Sequence, residues 1–337
     1  MTAMPPTTGH LQLVQFAKTL AFPSSVHVIF CTQPTEPMPN QRVMAFSEAV
    51  GHMRDGVWVH WHRDLIEQDP ETPGFREMWA SILTCTYDLE PGDYLVSSEP
   101  YGQWLAEMTG AQFFPYDPYR QINDVRGTWV RDMPYMMFGS IIPEFRPCLR
   151  TRVTIFGAES CGKTTLSQDL ARRYGCHWLF EWARPYLEVT GNDVTEESML
   201  AIWKGQAALQ RHGITLGDRP LLLQDTDLFS TVGYWQLYRE TLGQVPDNLI
   251  RDAEELKSDL YVIAPSNIPF EPDPLRYGGN VRETPDQYWV NVCDRFGLNY
   301  VVLEHSDPVL RMVEADRLID PVVRENLGKI GYDRKGF

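Results

Sequence analysis

The chain has 337 residues, 30 Lys and Arg against 45 Asp and Glu, and a formal net charge of −15. Its length favours two domains, because a single hydrophobic core rarely grows beyond about 250 to 300 residues. The acidic balance argues against a general nucleic-acid-binding surface, which needs a basic face to displace counterions from the phosphates.

The termini, apolar runs and cysteines indicate the compartment. No apolar run is long enough to cross a bilayer, and the first ten residues, MTAMPPTTGH, lack the apolar core of a signal peptide. The cysteines form no CxxC pair, so we expect reduced thiols and no zinc site. A cytoplasmic protein with no membrane or nucleic-acid partner is predicted. Its oligomeric state is left open, a homo-oligomer included.

The first half of the chain alternates strand-like and helix-like segments, which predicts an α/β domain. Strands are expected at 26–31, 57–61 and 94–96, with helices at 11–20 and 41–53. Gly9 and His10 come just before the first apolar-periodic stretch, so they would lie at a positively polarised helix N-terminus, where a phosphate can bind. An ordinary helix cap is the alternative.

Residues 134–152 contain three prolines and are predicted to connect the two domains. The boundary is expected near residue 148, which gives domains 1–147 and 148–337.

A phosphate-binding loop is predicted directly after this connection. Residues 153–165 read VTIFGAESCGKTT, an apolar strand leading into a Gly-x-x-x-x-Gly-Lys-Thr pattern. Glycines let the loop backbone curl so that its N–H groups converge on phosphate oxygens, while the lysine reaches the β- and γ-phosphates and the threonine hydroxyl contacts Mg²⁺. The predicted ATP-binding residues of the loop are Gly157, Glu159, Ser160, Cys161, Gly162, Lys163, Thr164 and Thr165.

The second half of the chain is predicted to form a parallel sheet with crossover helices. Its apolar runs lie at 153–156, 177–180, 220–223, 260–264 and 300–303. Ligands of such sheets bind beyond the carboxyl ends of the strands, so polar residues that follow these runs are candidate site residues.

Two strand ends carry carboxylates. Glu181, Arg184 and Tyr186 follow one run, and a kinase for a small alcohol needs a base near the hydroxyl. Asp225 and Asp227 follow the next, where Asp225 would hold Mg²⁺ and Asp227 a substrate hydroxyl. The choice of base between Glu181 and Asp227 stays open, and a helix N-cap or a solvated carboxylate is the alternative for each.

Residues 268–282 are rich in proline and glycine and carry Arg276 and Arg282. Arginines on a closing loop would neutralise charge on the triphosphate and exclude water from the transfer. A solvated surface loop is the alternative.

The rear half resembles the ribosylnicotinamide kinase domain of the bifunctional NadR family over residues 152 to about 305. The resemblance rests on GAESCGKTTL, on EWARPY, on the Asp-Thr-Asp of QDTD, and on DPLR. It implies MgATP-dependent phosphorylation of the ribose 5′-hydroxyl of nicotinamide riboside, with ATP as co-substrate.

The front half resembles the family's adenylyltransferase domain, a Rossmann-like nucleotidyltransferase fold. Thr7-x-Gly9-His10 is similar to the (His/Thr)-x-Gly-His element, residues 125–131 to the Ile-Ser-x-Thr-x-x-Arg element, and residues 97–102 to the Ser-Glu-x-Tyr-Gly segment. The resemblance implies adenylyl transfer from ATP to NMN. The implied ATP ligands are Thr7, Gly9, His10, Thr128 and Arg131, with His10 and Arg131 catalytic. The implied substrate contacts are Trp79, Ser98, Glu99 and Tyr101, and a core aromatic is the alternative for Trp79.

The chain departs from the family pattern in two respects. Arg126 stands where the second element has serine, and the first motif begins so early that the strand normally preceding it is expected to be missing. The family's amino-terminal DNA-binding helices are also expected to be absent, which predicts no repressor role.

The sequence is compatible with three hypotheses. A bifunctional NAD-salvage enzyme handling ATP, nicotinamide riboside, NMN and NAD is the first. A monofunctional nucleoside kinase with a degenerate front domain is the second. A regulatory NTP-binding switch without turnover is the third, although a carboxylate-lined acceptor pocket argues against it.

Overall fold

A computed structural model describes residues 1–53, 56–63, 66, 69–191, 193–271 and 284–331. The chain divides into two compact units, one built on Met1–Cys148 and the other on Leu149–Gly328. The division lies one residue beyond the expected boundary. Residues 329–331 group with the first unit, whereas the sequence assigned them to the second domain.

The first unit alternates helices with short strands. Its elements are α1 (Thr8–Ala21), β1 (Val26–Cys31), α2 (Pro39–Gly51), β2 (Val57–His62), α3 (Phe75–Tyr87), β3 (Tyr94–Ser97), α4 (Tyr101–Thr109), β4 (Gln112–Pro115) and α5 (Gly127–Asp132). The strands form two parallel pairs, β1 with β2 and β3 with β4, in separate two-stranded sheets. Met1 lies beside β1, where its ammonium donates to the Ile29 carbonyl at 2.6 Å.

Alternation along β1 sends side chains to two apolar layers. Phe30 is fully buried on one face and packs on Phe46 of α2, with ring centroids 5.2 Å apart. Cys31 points to the other face and joins a cluster with Phe75 and Trp79 of α3. The sheet therefore has helices on both sides, as expected of an α/β unit.

The second unit contains a five-stranded parallel sheet with the strand order β6-β7-β5-β8-β9. Its elements are β5 (Thr151–Phe156), α6 (Lys163–Tyr174), β6 (His177–Leu179), α7 (Ala183–Thr190), α8 (Glu196–Gly213), β7 (Leu221–Asp225), α9 (Leu228–Leu237), α10 (Arg239–Leu242), α11 (Asp247–Glu255), β8 (Leu260–Ile263), α12 (Asp286–Arg295), β9 (Tyr300–Val302) and α13 (Pro308–Gly328). All side chains of β7 and β8 are buried, as in a parallel sheet covered on both faces.

The predicted fold class is confirmed: every strand expected in the second half exists within a few residues of its predicted position, and all are parallel. The strand order also places β5 in the centre of the sheet. The loop that follows β5 therefore lies at the middle of the edge formed by the carboxyl ends of the strands. Within the described ranges, no helix is both long and apolar enough to cross a bilayer.

Candidate active sites of the two units

The loop between β5 and α6 is shaped by two glycines. Gly157 has φ +132°, and a Cβ there would lie 2.6 Å from the carbonyl oxygen of Ala264, so no side chain fits. Gly162 has φ +82°, a left-handed conformation that residues with a side chain rarely adopt, and α6 begins at the next residue. The strand, loop and helix required of a phosphate-binding loop are therefore all present.

Lys163, Thr164 and Asp225 meet at this loop. The Lys163 ammonium donates to the carbonyls of Gly157 at 3.1 Å and Ala158 at 2.6 Å. The Thr164 hydroxyl donates to Oδ2 of Asp225 at 2.5 Å. Asp225 ends β7, is 2% exposed, and lies opposite Ile155 of β5 in the parallel register. The end of β7 and the first turn of α6 thus bring together two residues 61 positions apart.

The Thr164 and Asp225 pair fits Mg²⁺. A hydroxyl and a carboxylate are hard oxygen ligands, and Mg²⁺ in such sites takes one or two protein ligands while phosphates and water supply the others. In the part of the chain that the structure describes, no group of three or more His, Cys, Asp or Glu side chains is arranged to hold a metal.

Glu159 extends its side chain away from the loop into a buried polar cluster. Its carboxylate accepts the Tyr234 hydroxyl at 2.8 Å and the Thr284 hydroxyl at 3.1 Å. Burial, followed by the charges of Glu159 and Glu181, raises the pKa of Tyr234 well above its ordinary value. Glu181, which follows β6, is therefore a second carboxylate near enough to act on Tyr234. The sequence missed Tyr234 and Thr284, because neither follows a strand.

Aromatic side chains lie next to Glu181. Trp182 stacks on Tyr186 with ring centroids 5.2 Å apart and an interplanar angle of 22°. Its backbone N–H donates to the side-chain oxygen of Gln206 at 3.0 Å. Gly205 of α8 accommodates the indole, since a Cβ there would lie 2.2 Å from the ring. Arg184 is half-buried in the first turn of α7.

Asp227 does not face this cluster. It is 1% exposed and caps α9, accepting the Phe229 N–H at 2.9 Å, while its other oxygen accepts the Tyr261 hydroxyl at 2.6 Å. Burial raises the pKa of Asp227 to about 6. This geometry favours the N-cap role over substrate binding, because both oxygens are used inside the unit.

The other predicted loop residues have differing surroundings. Ser160 has φ +54°, and its hydroxyl accepts the Glu271 N–H at 2.8 Å. Cys161 is fully buried, whereas Thr165 is exposed on α6. Arg276 and Arg282 lie outside the described residues.

In the first unit, His10 is held in one orientation. Its Nδ1 accepts the backbone N–H of Thr7 at 3.0 Å and lies 2.8 Å from the Thr7 hydroxyl. Burial, with positive charges nearby, lowers the pKa of His10 to about 4. The imidazole is therefore neutral at pH 7, with its proton on Nε2, which makes Nε2 a hydrogen-bond donor.

The segment before α1 contacts α5, so the two predicted motifs lie near each other. The Arg131 guanidinium donates to the Met4 carbonyl, and a Cβ at Gly127 would lie 3.2 Å from the same oxygen. Thr128 is exposed in the first turn of α5, and Gly9 is half-buried on α1. Arg126, at the serine position of the family element, is exposed over Trp129 with its guanidinium carbon 5.2 Å from the ring centroid.

The predicted substrate contacts of the first unit differ in exposure. Glu99 is exposed and pairs with Arg120 at 2.8 Å, and Ser98 is half-buried in the same turn. Tyr101 begins α4, and burial raises its pKa. Trp79 is 8% exposed inside the cluster on α3, with its ring centroid 5.8 Å from that of His62. Its surroundings favour the core role that the sequence left open.

The chain is similar to a family of known domains and to proteins of NAD biosynthesis. A family model described as an AAA domain matches residues 152–309. The trifunctional NAD biosynthesis/regulator protein NadR of Escherichia coli K12 is 24% identical over 247 residues, which is 72% of this chain and 58% of that protein. The protein of the same name from Salmonella typhimurium LT2 is 24% identical over 254 residues. The chain thus spans less than two thirds of these relatives.

Two solved structures share the fold over nearly the whole chain. A crystal structure of NadR protein in complex with NR has a TM-score of 0.69 at 22% identity, covering 97% of this chain and 94% of the other. A NadR structure in complex with NAD and AMP-PNP has a TM-score of 0.64 at 21% identity, with the same coverage.

Proposed function

We propose that the chain, which is similar to NadR proteins over most of its length, belongs to the NadR family and is a bifunctional enzyme of NAD salvage. The second unit phosphorylates nicotinamide riboside to NMN, and the first unit transfers the adenylyl group of ATP to NMN, forming NAD and pyrophosphate. The observation that carries the proposal is the arrangement at the loop after β5, where the Thr164 and Asp225 pair and the Glu159, Glu181 and Tyr234 cluster lie at one sheet edge.

In the kinase reaction, Glu181 is proposed as the base. Its carboxylate accepts the proton of the ribose 5′-hydroxyl as that oxygen attacks the γ-phosphorus of ATP, and the bond to the bridging oxygen of ADP breaks. Lys163 and the loop N–H groups stabilise the phosphoryl oxygens. Thr164 and Asp225 would hold Mg²⁺, which neutralises phosphate charge when bound. Asp227 is a weaker candidate for the base because Phe229 and Tyr261 already use both of its oxygens.

In the adenylyl transfer, the first unit is proposed to align two phosphates. A phosphate oxygen of NMN attacks the α-phosphorus of ATP, and pyrophosphate leaves. His10 donates from Nε2 to a phosphate oxygen, an interaction available at neutral pH because Nδ1 already accepts the Thr7 N–H. Arg131 and Thr128 are proposed as further phosphate ligands. The NMN contacts of Ser98, Glu99 and Tyr101 stay predictions.

The relatives support this assignment, because the Escherichia coli protein is a NAD biosynthesis/regulator protein and the solved NadR structures are complexes with NR or with NAD and AMP-PNP. The alignment with the NadR structure in complex with NR covers 97% of this chain. A cytoplasmic location is part of the same proposal.

Product analysis by mass spectrometry tests both activities. The purified chain is incubated with MgATP and nicotinamide riboside, and in parallel with MgATP and NMN. NAD in both reactions is expected. NMN that accumulates from the riboside, with no NAD in either reaction, would favour the monofunctional kinase. ATP hydrolysis that is independent of either acceptor would favour the regulatory switch.

A metal titration tests the magnesium assignment. Chelation with EDTA is expected to abolish turnover, and added Mg²⁺ to restore it, because phosphate charge is otherwise uncompensated. Full activity in EDTA would contradict the assignment of Thr164 and Asp225 as metal ligands.

A further inference from the structure

Arg311 is a buried arginine that touches the phosphate-binding loop from a distant part of the sequence. It lies in the first turn of α13 and is 4% exposed. Its Nη1 donates to the Cys161 carbonyl at 2.7 Å, and its Nε donates to the His305 carbonyl at 2.6 Å. Its Nη2 donates to the Pro265 carbonyl at 2.7 Å and also to the side-chain oxygen of Asn267.

The oxygens that receive these bonds belong to three loops at one edge of the sheet. Cys161 follows β5, Pro265 and Asn267 follow β8, and His305 follows β9. The three strands are consecutive neighbours in the parallel sheet. One guanidinium therefore ties together the carboxyl ends of adjacent strands, including the loop with the phosphate-binding pattern.

The bond to Cys161 has a consequence for the next peptide N–H. A trans peptide unit is planar, and its C=O and N–H point in opposite directions. With the Cys161 carbonyl directed at Arg311, the N–H of Gly162 is directed away from Arg311. Gly162 itself has φ +82° and no side chain to restrain it, so the hydrogen bond from Arg311 adds a restraint on the orientation of this peptide unit.

The charge of Arg311 has no direct ion-pair partner among the described residues, and the carboxylates of Asp286 and Glu314 act on it only from a greater distance. Its hydrogen-bond acceptors are three backbone carbonyl oxygens and one side-chain amide oxygen. A guanidinium stays protonated in proteins even when buried. A positive charge therefore lies directly behind a loop whose pattern binds phosphate.

We propose that Arg311 is a positioning residue for nucleoside triphosphate binding, which orients the Cys161–Gly162 peptide toward the phosphates. The inference rests on the proposed nucleotide binding by the second unit, but not on the identity of the acceptor. It adds a residue outside the loop motif to the determinants of ATP affinity.

Three variants of the full chain test this role. Arg311→Met keeps much of the buried side-chain volume and removes all four bonds and the charge. Arg311→Lys keeps the charge, but an ammonium cannot reach four acceptors with the geometry of a planar fork. Arg324→Met is the matched control, because Arg324 lies on the same helix, is 46% exposed and forms a surface ion pair with Asp320.

MgATP dissociation constants measured by calorimetry give the readout. Arg311→Met is expected to weaken MgATP binding by about tenfold or more, from loss of a charge-assisted hydrogen bond and of loop order. Arg311→Lys is expected to stay within about threefold of Arg311→Met, because orientation rather than charge is the main effect. The KM for ATP should rise while the KM for the riboside stays near its normal value, a split that general unfolding would not produce.

Two results would overturn the role of Arg311. One is unchanged MgATP affinity in Arg311→Met, and the other is full affinity in Arg311→Lys, which would leave only a charge effect. Arg311→Lys also serves if Arg311→Met fails to fold, since it retains a cation at the buried position. If the unsubstituted protein bound no MgATP, the proposed function would be refuted instead, so the two failures are distinguishable.

Discussion

Asp227→Asn separates the two roles that the sequence left open for this carboxyl group. In the structure, Asp227 caps α9 and accepts the Tyr261 hydroxyl in a fully buried position. An asparagine can still accept the Phe229 N–H and cannot ionise. Kinase turnover should therefore change by less than about tenfold, far less than the 10²-fold to 10⁴-fold effect typical of a general base.

The size of the stability effect follows from the pKa of Asp227. The pKa is raised from 3.8 to about 6. The folded state therefore binds the proton more tightly than the unfolded state, and the normal protein loses stability as pH rises from about 4 to about 6. A shift of about 2 pH units lowers the free energy of unfolding of the normal protein by about 3 kcal/mol above pH 6. The Asp227→Asn variant has no ionisable group at this position and keeps that stability.

Hydrogen exchange measures this effect within the second unit. Protection factors of peptides covering β5 and β8 are compared between the variant and the normal chain at each pH, so that the intrinsic pH dependence of exchange cancels. Relative to the normal chain, the variant should gain about a hundredfold in protection between pH 4 and pH 7.5. Asp320→Asn, which changes a half-exposed carboxylate on α13, is the control and should show no such trend.

Two outcomes would refute the reasoning. The first is a loss of kinase turnover above a hundredfold in Asp227→Asn with normal hydrogen-exchange protection, which would show that Asp227 acts in the acceptor site. The second is a ratio of protection factors, variant to normal chain, that is the same at pH 4 and at pH 7.5. It would mean that Asp227 is ionised in the folded protein without the cost that its burial implies.

Further substitutions separate the two units and test the loop. Lys163→Ala should abolish riboside phosphorylation and spare NMN adenylylation, and His10→Ala should do the reverse, as measured by the two product assays; equal loss of both activities in either variant would contradict the division of labour. Asp225→Asn should lower Mg²⁺-dependent turnover more than ATP affinity, because one metal ligand is weakened while the loop contacts remain, and normal turnover would remove Asp225 from the metal site. Gly157→Ala should weaken MgATP binding by at least about tenfold and lower the melting temperature, since its methyl group would meet the Ala264 carbonyl at 2.6 Å; an unchanged affinity would show that the loop can shift at little cost.

The phosphate-binding loop and the sheet around it were predictable because their determinants are local. The apolar run of β5, the glycines and the first residues of α6 are contiguous, so sterics and hydrogen bonding within one segment determine the loop. The pairing of Thr164 with Asp225 was also within reach, because parallel strands bring their carboxyl ends to one edge. In the first unit, the proximity of the Thr7 and Arg131 motifs was implied by resemblance rather than by any local pattern.

Only the tertiary structure decided which way the remaining side chains face. Asp227 differs from Asp225 by two positions, yet it is turned into the interior, where Tyr261 meets it from a strand 34 residues away. Glu159 is engaged by Tyr234 and Thr284, which are 75 and 125 positions distant, and Cys161 by Arg311 at 150 positions. The hydrophobic periodicity of a segment indicates its secondary structure and which of its faces is buried. It carries no information on which distant donor fills a buried acceptor, because that match is set by the packing of helices against the sheet.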